Sequence, residues 1–485
     1  MNFNSYIFIL VFVPTVVLGY HLLNQKKKYQ LAQCYLLLMS FLFYAYAGIP
    51  YFILILTSIL INYLISKIME YPGLKRWCMI FGITFNLLLL FYFKYYDFFI
   101  SNLNVVFHRS FVLKNIVLPL GISFYTFQQI SFIIDRGKGR APHYSLTDYS
   151  CYVIFFPQLV AGPIVKHDEL IPQFHDERKK VFSWDNLYRG MALFVIGLSK
   201  KTLIADYLAL AVDYGYDNIA TLDSVSAFIA MLGYTLQIYF DFSGYSDMAI
   251  GLARMLNLDL PINFDRPYLS GSIGEFWRRW HITLNRFLME YVYIPLGGSR
   301  TGKWRRVLNV MIVFFLSGLW HGANWTFILW GTLHGTLVAL EGLFPKNKNR
   351  KNGIGVVRSF LLENLLWILF RSDSVSGAVQ MYKRLFSFSY NGSIRELALA
   401  MDNSLLFIPI QIIKKVGLEN LNDSFYLVYM LVLFCVAVFM LVGRNAYQRV
   451  RDMSPGKYYP GILALLFVFC IVCFSRTEVF LYFNF

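Results

Sequence analysis

Runs of about twenty apolar residues recur from one end of this chain to the other and constrain its fold more than any single motif does. A segment that crosses hydrocarbon has no water to bond its backbone, so it must be helical and satisfy each N–H and C=O internally. Clear windows are Tyr6–Leu23, Leu31–Ala47, Tyr51–Ile68, Met79–Ile100, Val117–Ile134, Met191–Val212, Val225–Gly251, Trp325–Leu343, Val356–Phe370, Tyr426–Val442 and Ile462–Phe474. Shorter apolar stretches near 150–165, 308–320 and 403–413 raise the expectation to roughly 11 to 14 membrane-embedded helices. Of the 485 residues 57% are hydrophobic and only 15% charged, and the mean hydropathy is +0.51, outside the balance of a soluble globular chain. The expected fold class is an all-α polytopic membrane protein, one integral-membrane domain over residues 1–485.

Charge refines this picture. The net charge of +16 would suit a nucleic-acid binder, but the basic residues sit in short loops between spans, where they set orientation, so no nucleic acid is expected. Lys26-Lys27-Lys28, Lys75-Arg76 and the group Arg136, Lys138 and Arg140 mark alternate loops. These are assigned to the cytoplasm, which places the N-terminus outside. The same side is expected for His175–Lys180, Arg300–Arg306, Lys346–Lys351 and Arg444–Arg451. The first apolar segment has no basic region before it and no small-residue cleavage site after it, so it reads as a retained span. Six cysteines, with no paired metal spacing, read as small apolar packers. No repeat or linker divides the chain.

Polar residues invade the apolar pattern in two blocks, 156–174 and 234–335. In the first, Phe156-Pro157-Gln158-Leu159-Val160-Ala161-Gly162-Pro163-Ile164-Val165 puts prolines and a glycine into an apolar run. That breaks a helix, and such backbone is tolerated at membrane depth only when buried in protein or lining a cavity. An interrupted or re-entrant segment is expected there, with Gln158 and Pro163 as candidate pocket-lining residues. The second block opens with Tyr239-Phe240-Asp241-Phe242-Ser243-Gly244-Tyr245-Ser246-Asp247. The spacing of its two aspartates does not stack them on one helical face, and capping or charge pairing is the favoured reading for both. Asp241 and Ser243 are further pocket-lining candidates.

Next comes Glu275-Phe276-Trp277-Arg278-Arg279-Trp280-His281-Ile282-Thr283-Leu284-Asn285-Arg286. It reads equally as an interfacial amphipathic helix and as a mouth where Arg278, Arg279 and Arg286 grip phosphates with planar forks of donors. Most distinctive is Ser317-Gly318-Leu319-Trp320-His321-Gly322-Ala323, an imidazole between small residues in a greasy segment. An ionisable group at such depth costs roughly 2.5 kcal/mol or more when charged, so it needs a reason. Histidine titrates near neutrality and suits proton transfer. His321 is favoured as functional and His281 is balanced between function and structure. His334 is favoured as structural; His21, His108, His143, His167 and His175 carry no distinctive signal. No phosphate loop, nucleophile elbow or metal-binding histidine pair is present, so no metal is expected.

Taken in order, Phe156–Val165, Tyr239–Asp247, Phe276–His281 with Tyr293-Ile294-Pro295-Leu296-Gly297-Gly298-Ser299-Arg300, and Leu319–Ala323 resemble the membrane-bound O-acyltransferase family, and its bacterial alginate O-acetyltransferase branch in particular. The resemblance covers most of residues 115–340. It implies a ring of helices around a central funnel or tunnel, in the bacterial cytoplasmic membrane. It also implies acetyl transfer from a cytoplasmic thioester, acetyl-coenzyme A or an acyl carrier protein, to a hydroxyl of an envelope polysaccharide. No bound cofactor is implied; a separate extracytoplasmic acetyltransferase is the implied partner. His321 matches the family's essential histidine, and His281 a second one. Leu288-Met289-Glu290 departs from the Leu-Arg-Asp of the pattern.

On this reading His321 takes a proton from the attacking hydroxyl, with Trp320, Asn324 or His281 as candidate donors to the oxyanion. A covalent acyl intermediate is a variant of the same scheme. D-alanyl transfer to teichoic acid is the alternative within the family. A transporter is the alternative from another class, although transporters of many folds carry two related halves and none are visible here.

Overall fold

The computed structural model describes residues 1–300, 302–344, 353–402, 404–416, 422–453, 459–474 and 480–481, so the basic loop Lys346–Lys351 lies outside it. Among these residues helix is the only regular secondary structure. Six helical runs are both long and apolar enough to cross a membrane: Phe8–Gln25, Ile49–Ile68, Lys75–Phe107, Ser224–Met255, Gly353–Arg371 and Asp423–Val442. Tyr29–Ala45 and Tyr459–Val472 are shorter apolar helices. The protein is thus a multi-pass, all-helical membrane protein. The remaining expected spans are broken or diluted. Helix starts only at Ile122 in the Val117–Ile134 window. The Met191–Val212 window carries Lys200 and Lys201 through a π-helical turn, Lys200–Ala205. Trp325–Leu343 is helical throughout but contains His334, threonines and glycines.

The chain forms two compact units, Met1–Phe194 with Ser246–Ile262, and Val195–Tyr245 with Asn263–Phe485. Helices of the first are α1 (Val13–Gln25), α2 (Tyr29–Ala45), α3 (Ile49–Ile68), α4 (Lys75–Leu90), α5 (Tyr96–Phe107), α6 (Ile122–Gly137), α7 (Leu146–Ile154), α8 (Phe156–Leu159), α9 (His167–His175) and most of α10 (Trp184–Ser199). The proline-rich segment is interrupted as expected, since α8 has only four residues. Its freed backbone is satisfied by protein. Phe156 N–H donates to Ser40 Oγ (3.3 Å), and Tyr152 Oη donates to Val165 O (3.2 Å). Gln158 is buried and its amide donates to Tyr152 O at 2.8 Å. Pro163 is buried in the same turn.

The second unit holds α11 (Asp206–Asp217), the first two-thirds of α12 (Ser224–Met255), α13 (Ile273–Arg279), α14 (Ile282–Leu288), α15 (Lys303–His321), α16 (Trp325–Leu343) and α17 (Gly353–Arg371). It continues through α18 (Val375–Leu385), α19 (Ile394–Leu399), α20 (Ser404–Lys415), α21 (Asn422–Val442), α22 (Ala446–Arg451) and α23 (Tyr459–Val472). Helices α15 and α16 form a tight hairpin capped by Asn324, whose Oδ1 accepts from Thr326 N–H at 3.0 Å. Their backbones touch. A Cβ on Gly318 would lie 2.4 Å from Phe327 O, and one on Gly331 2.4 Å from Phe314 O. Small residues let membrane helices approach in this way, and dispersion then rewards the contact. Gly331→Val should therefore separate the hairpin at a cost of about 1–3 kcal/mol or more. A lowered thermal midpoint of the detergent-solubilised protein is the expected result, and an unchanged midpoint would refute the close contact.

Candidate functional site

Residue by residue, the site grows from the turn between α13 and α14. His281 occupies that turn with a left-handed backbone, φ 43°, a region histidine enters more readily than most residues. Asn263 makes the turn possible. Its carbonyl oxygen Oδ1 accepts from Thr283 N–H (3.2 Å) and from the Thr283 hydroxyl (2.9 Å), and its backbone oxygen accepts from Ile282 N–H (3.0 Å). The same Oδ1 lies 3.1 Å from His281 Nδ1. An atom already accepting from a backbone N–H is an oxygen, so Nδ1 must donate to it. Nε2 is then the basic nitrogen of His281.

His321 is the last residue of α15, 2% exposed. Trp320 joins the two histidines. Its ring centroid is 5.8 Å from that of His281 and 5.0 Å from that of His321. Trp330 and Phe370 pack on His321 at 5.1 Å each, and Phe242 packs edge-on to His281 at 4.8 Å. The histidine pair expected from the sequence thus meets in one dry aromatic cage, where low local dielectric strengthens any polar interaction.

The other candidates divide. Asn324 is committed at both ends, capping α16 and donating from Nδ2 to Asp373 O at 2.7 Å. Asp241 is ion-paired with Lys201 at 2.6 Å, and Lys201 also meets Asp206 at 2.7 Å. Asp241 Oδ2 accepts from Leu481 N–H at 3.0 Å. Ser243 accepts from Lys200 Nζ at 3.4 Å. Both residues are in the second unit, with the histidines, and both serve structural contacts; Gln158 and Pro163 belong to the first. Arg279 pairs with Glu275 at 2.6 Å, while Arg278 lines a cavity of about 260 Å³ together with Lys303, Arg306 and one carboxylate, Glu341, which accepts from Ile273 N–H and Gly274 N–H. The cavity floor is apolar, built from Trp277, Val310, Val313 and Phe314. Arg286, on α14, is half-buried and not among the lining residues. Helix α13 is not a surface helix with boundary tryptophans, since Trp277 is 5% and Trp280 1% exposed. It combines a buried aromatic face with a cationic edge, a basic rim over an apolar floor that fits an amphiphilic anion.

Sequence reasoning missed Asn263, the Lys201 cluster and a buried carboxyl, Glu363, beside His334. Glu363 is the one carboxyl in the apolar window Val356–Phe370, which it shares with Arg358, and an ionisable group mid-window is the same signal that singled out His321.

Residues 135–350 match the family model for membrane-bound O-acyltransferases. A peptidoglycan O-acetyltransferase of Helicobacter pylori is 37% identical, covering 100% of this chain and 97% of its own. A probable alginate O-acetylase of Pseudomonas aeruginosa is 40% identical over 80% of this chain and 75% of its own. A teichoic acid D-alanyltransferase of Bacillus subtilis is 28% identical over 49% and 62%.

The buried charge cluster makes its own prediction. Lys201→Met removes the ammonium that Asp206 and Asp241 share and should cost about 3–5 kcal/mol, seen as loss of monodisperse protein in detergent. Adding Asp206→Asn and Asp241→Asn should restore it; no recovery in the triple variant would contradict a simple charge balance.

Proposed function

Because the chain belongs to the membrane-bound O-acyltransferase family, we propose that it moves an acetyl group from a cytoplasmic thioester to a hydroxyl of an envelope polysaccharide on the other side of the bacterial cytoplasmic membrane. That the protein is an O-acyltransferase follows from its family and its relatives. The observation that carries the finer reading is the packing of both histidines on one tryptophan, in a cage that excludes water and so disfavours hydrolysis of the thioester. Extensive similarity to enzymes named for peptidoglycan and alginate acetylation supports a glycan hydroxyl as acceptor, reached directly or through an extracytoplasmic acetyltransferase. The D-alanyltransferase match, covering about half the chain, supports it less.

In the proposed step, His321 accepts the hydroxyl proton as the oxygen adds to the thioester carbonyl. The tetrahedral intermediate then expels the thiolate, which takes that proton from the imidazolium. The products are an acetyl ester and a free thiol. The Trp320 indole N–H is suited to the oxyanion by its position between the rings, and His281 Nε2 is a second base or, protonated, a second donor. Donor phosphates suit the rim of Arg278, Lys303 and Arg306, with the pantetheine arm over the apolar floor.

Purified protein supplied with radiolabelled acetyl-coenzyme A and glycan acceptor tests this. His321→Ala should lower transfer by at least about 100-fold while the protein stays folded and membrane-inserted, and transfer at the wild-type rate would sink the assignment. His281→Asn keeps a residue that tolerates the left-handed turn and removes the basic nitrogen together with the ring that packs on Phe242 and Trp320. A smaller loss, mostly in kcat, is expected. Arg278→Gln with Arg306→Gln should raise KM for acetyl-coenzyme A about tenfold or more, with added salt weakening the wild-type enzyme in the same direction. An unchanged KM would move the donor elsewhere.

A further inference from the structure

Behind the aromatic cage, α16 and α17 face each other with polar groups at matching positions. Trp330 and His334 are one turn apart on α16, and Glu363 and Trp367 one turn apart on α17. Trp330 stacks on Trp367 at 5.7 Å and packs on His334 at 4.8 Å. Glu363 is wholly buried, and among the described residues neither of its oxygens has a hydrogen-bond partner. A buried carboxyl among indoles is costly, and the ionisable neighbour it faces indicates what it does there.

That neighbour is His334 Nε2, 3.6 Å from Glu363 Oε2, close but longer than a formed hydrogen bond. On the other side of the ring, Trp277 Nε1 donates to His334 Nδ1 at 3.1 Å. An indole nitrogen only donates, so Nδ1 must accept and the ring hydrogen must sit on Nε2, facing the carboxyl. Were the hydrogen on Nδ1 instead, two N–H groups would oppose each other and the Trp277 indole would lose its anchor. Trp277 is the apolar wall next to Arg278 in the basic-rimmed cavity.

We infer that Glu363 is a positioning residue for that cavity. Acting through His334, it selects the tautomer that holds the Trp277 ring in place. The inference rests on the donor reading of the cavity only for its effect on activity; the orientation of Trp277 is independent of it.

The full-length protein, labelled with 5-fluorotryptophan and held in detergent micelles, allows both parts to be read. The Trp277 fluorine resonance is identified by its loss in Trp277→Phe. Glu363→Gln, which keeps a carbonyl acceptor, should leave that resonance in place. Glu363→Leu should move it and raise KM for acetyl-coenzyme A about tenfold, the effect of one hydrogen bond, with kcat within about twofold. Glu363→Met, which removes the acceptor and keeps the length of the side chain, should move the resonance as well and decides the matter if Glu363→Leu does not fold. An unmoved Trp277 resonance in the variant that folds overturns the inference. A moved resonance with unchanged KM upholds the tautomer chain and overturns instead the donor reading of the cavity.

Discussion

The contact of two backbones, α15 on α16, is what the remainder of the site depends on. Gly318 and Gly331 have no side chains to hold the helices apart, so the end of α15 sits against the first turns of α16. Trp330 can then lie on His321, and Trp330 in turn reaches α17 through Trp367 and Phe370. In hydrocarbon there is no hydrophobic force to press helices together, and close fit is the main source of affinity between them. The glycines around His321 therefore serve packing first, and the reactive geometry follows from it.

Three polar groups inside this unit are held by partners from elsewhere in the chain. Asn263 lies in the loop after α12 and fixes His281; Lys201, before α11, meets Asp241 of α12; Trp277 of α13 is held by His334 of α16. Low dielectric makes each of these worth more than in water and makes a missing partner expensive. The arrangement gives His281 and His334 defined hydrogen positions.

Much of this was legible in the sequence. The fold class follows from apolar windows because backbone satisfaction in a bilayer allows only helices, and the break at Pro157–Pro163 follows from ring geometry. His321 stood out because an imidazole at depth is costly. Partners were not legible. Nothing in the spacing of Asn263 and His281 announces that one amide would hold the other's turn, since the loop between them follows no helical or strand period. Helix α13 is open between two readings in the sequence, because arginines beside tryptophans suit an interface as well as a buried helix with one charged edge, and only packing separates the two. Glu363 obeys the rule that marks His321, but it belongs to no motif that names a partner for its carboxyl.

Lys201 also bears on how the chain is made. Synthesis proceeds from Lys201 to Asp241, so until α12 has emerged the ammonium has one of its two carboxylates, Asp206, and must wait for the other. Lys201 and Asp206 are neutral as a pair, but even a paired ammonium is a poor resident of hydrocarbon until protein covers it. The insertion machinery must therefore keep residues 191–212 near water, or alongside protein, until the following helix arrives, and release the two into lipid together. One buried lysine thus imposes an order on biogenesis that the finished fold no longer displays.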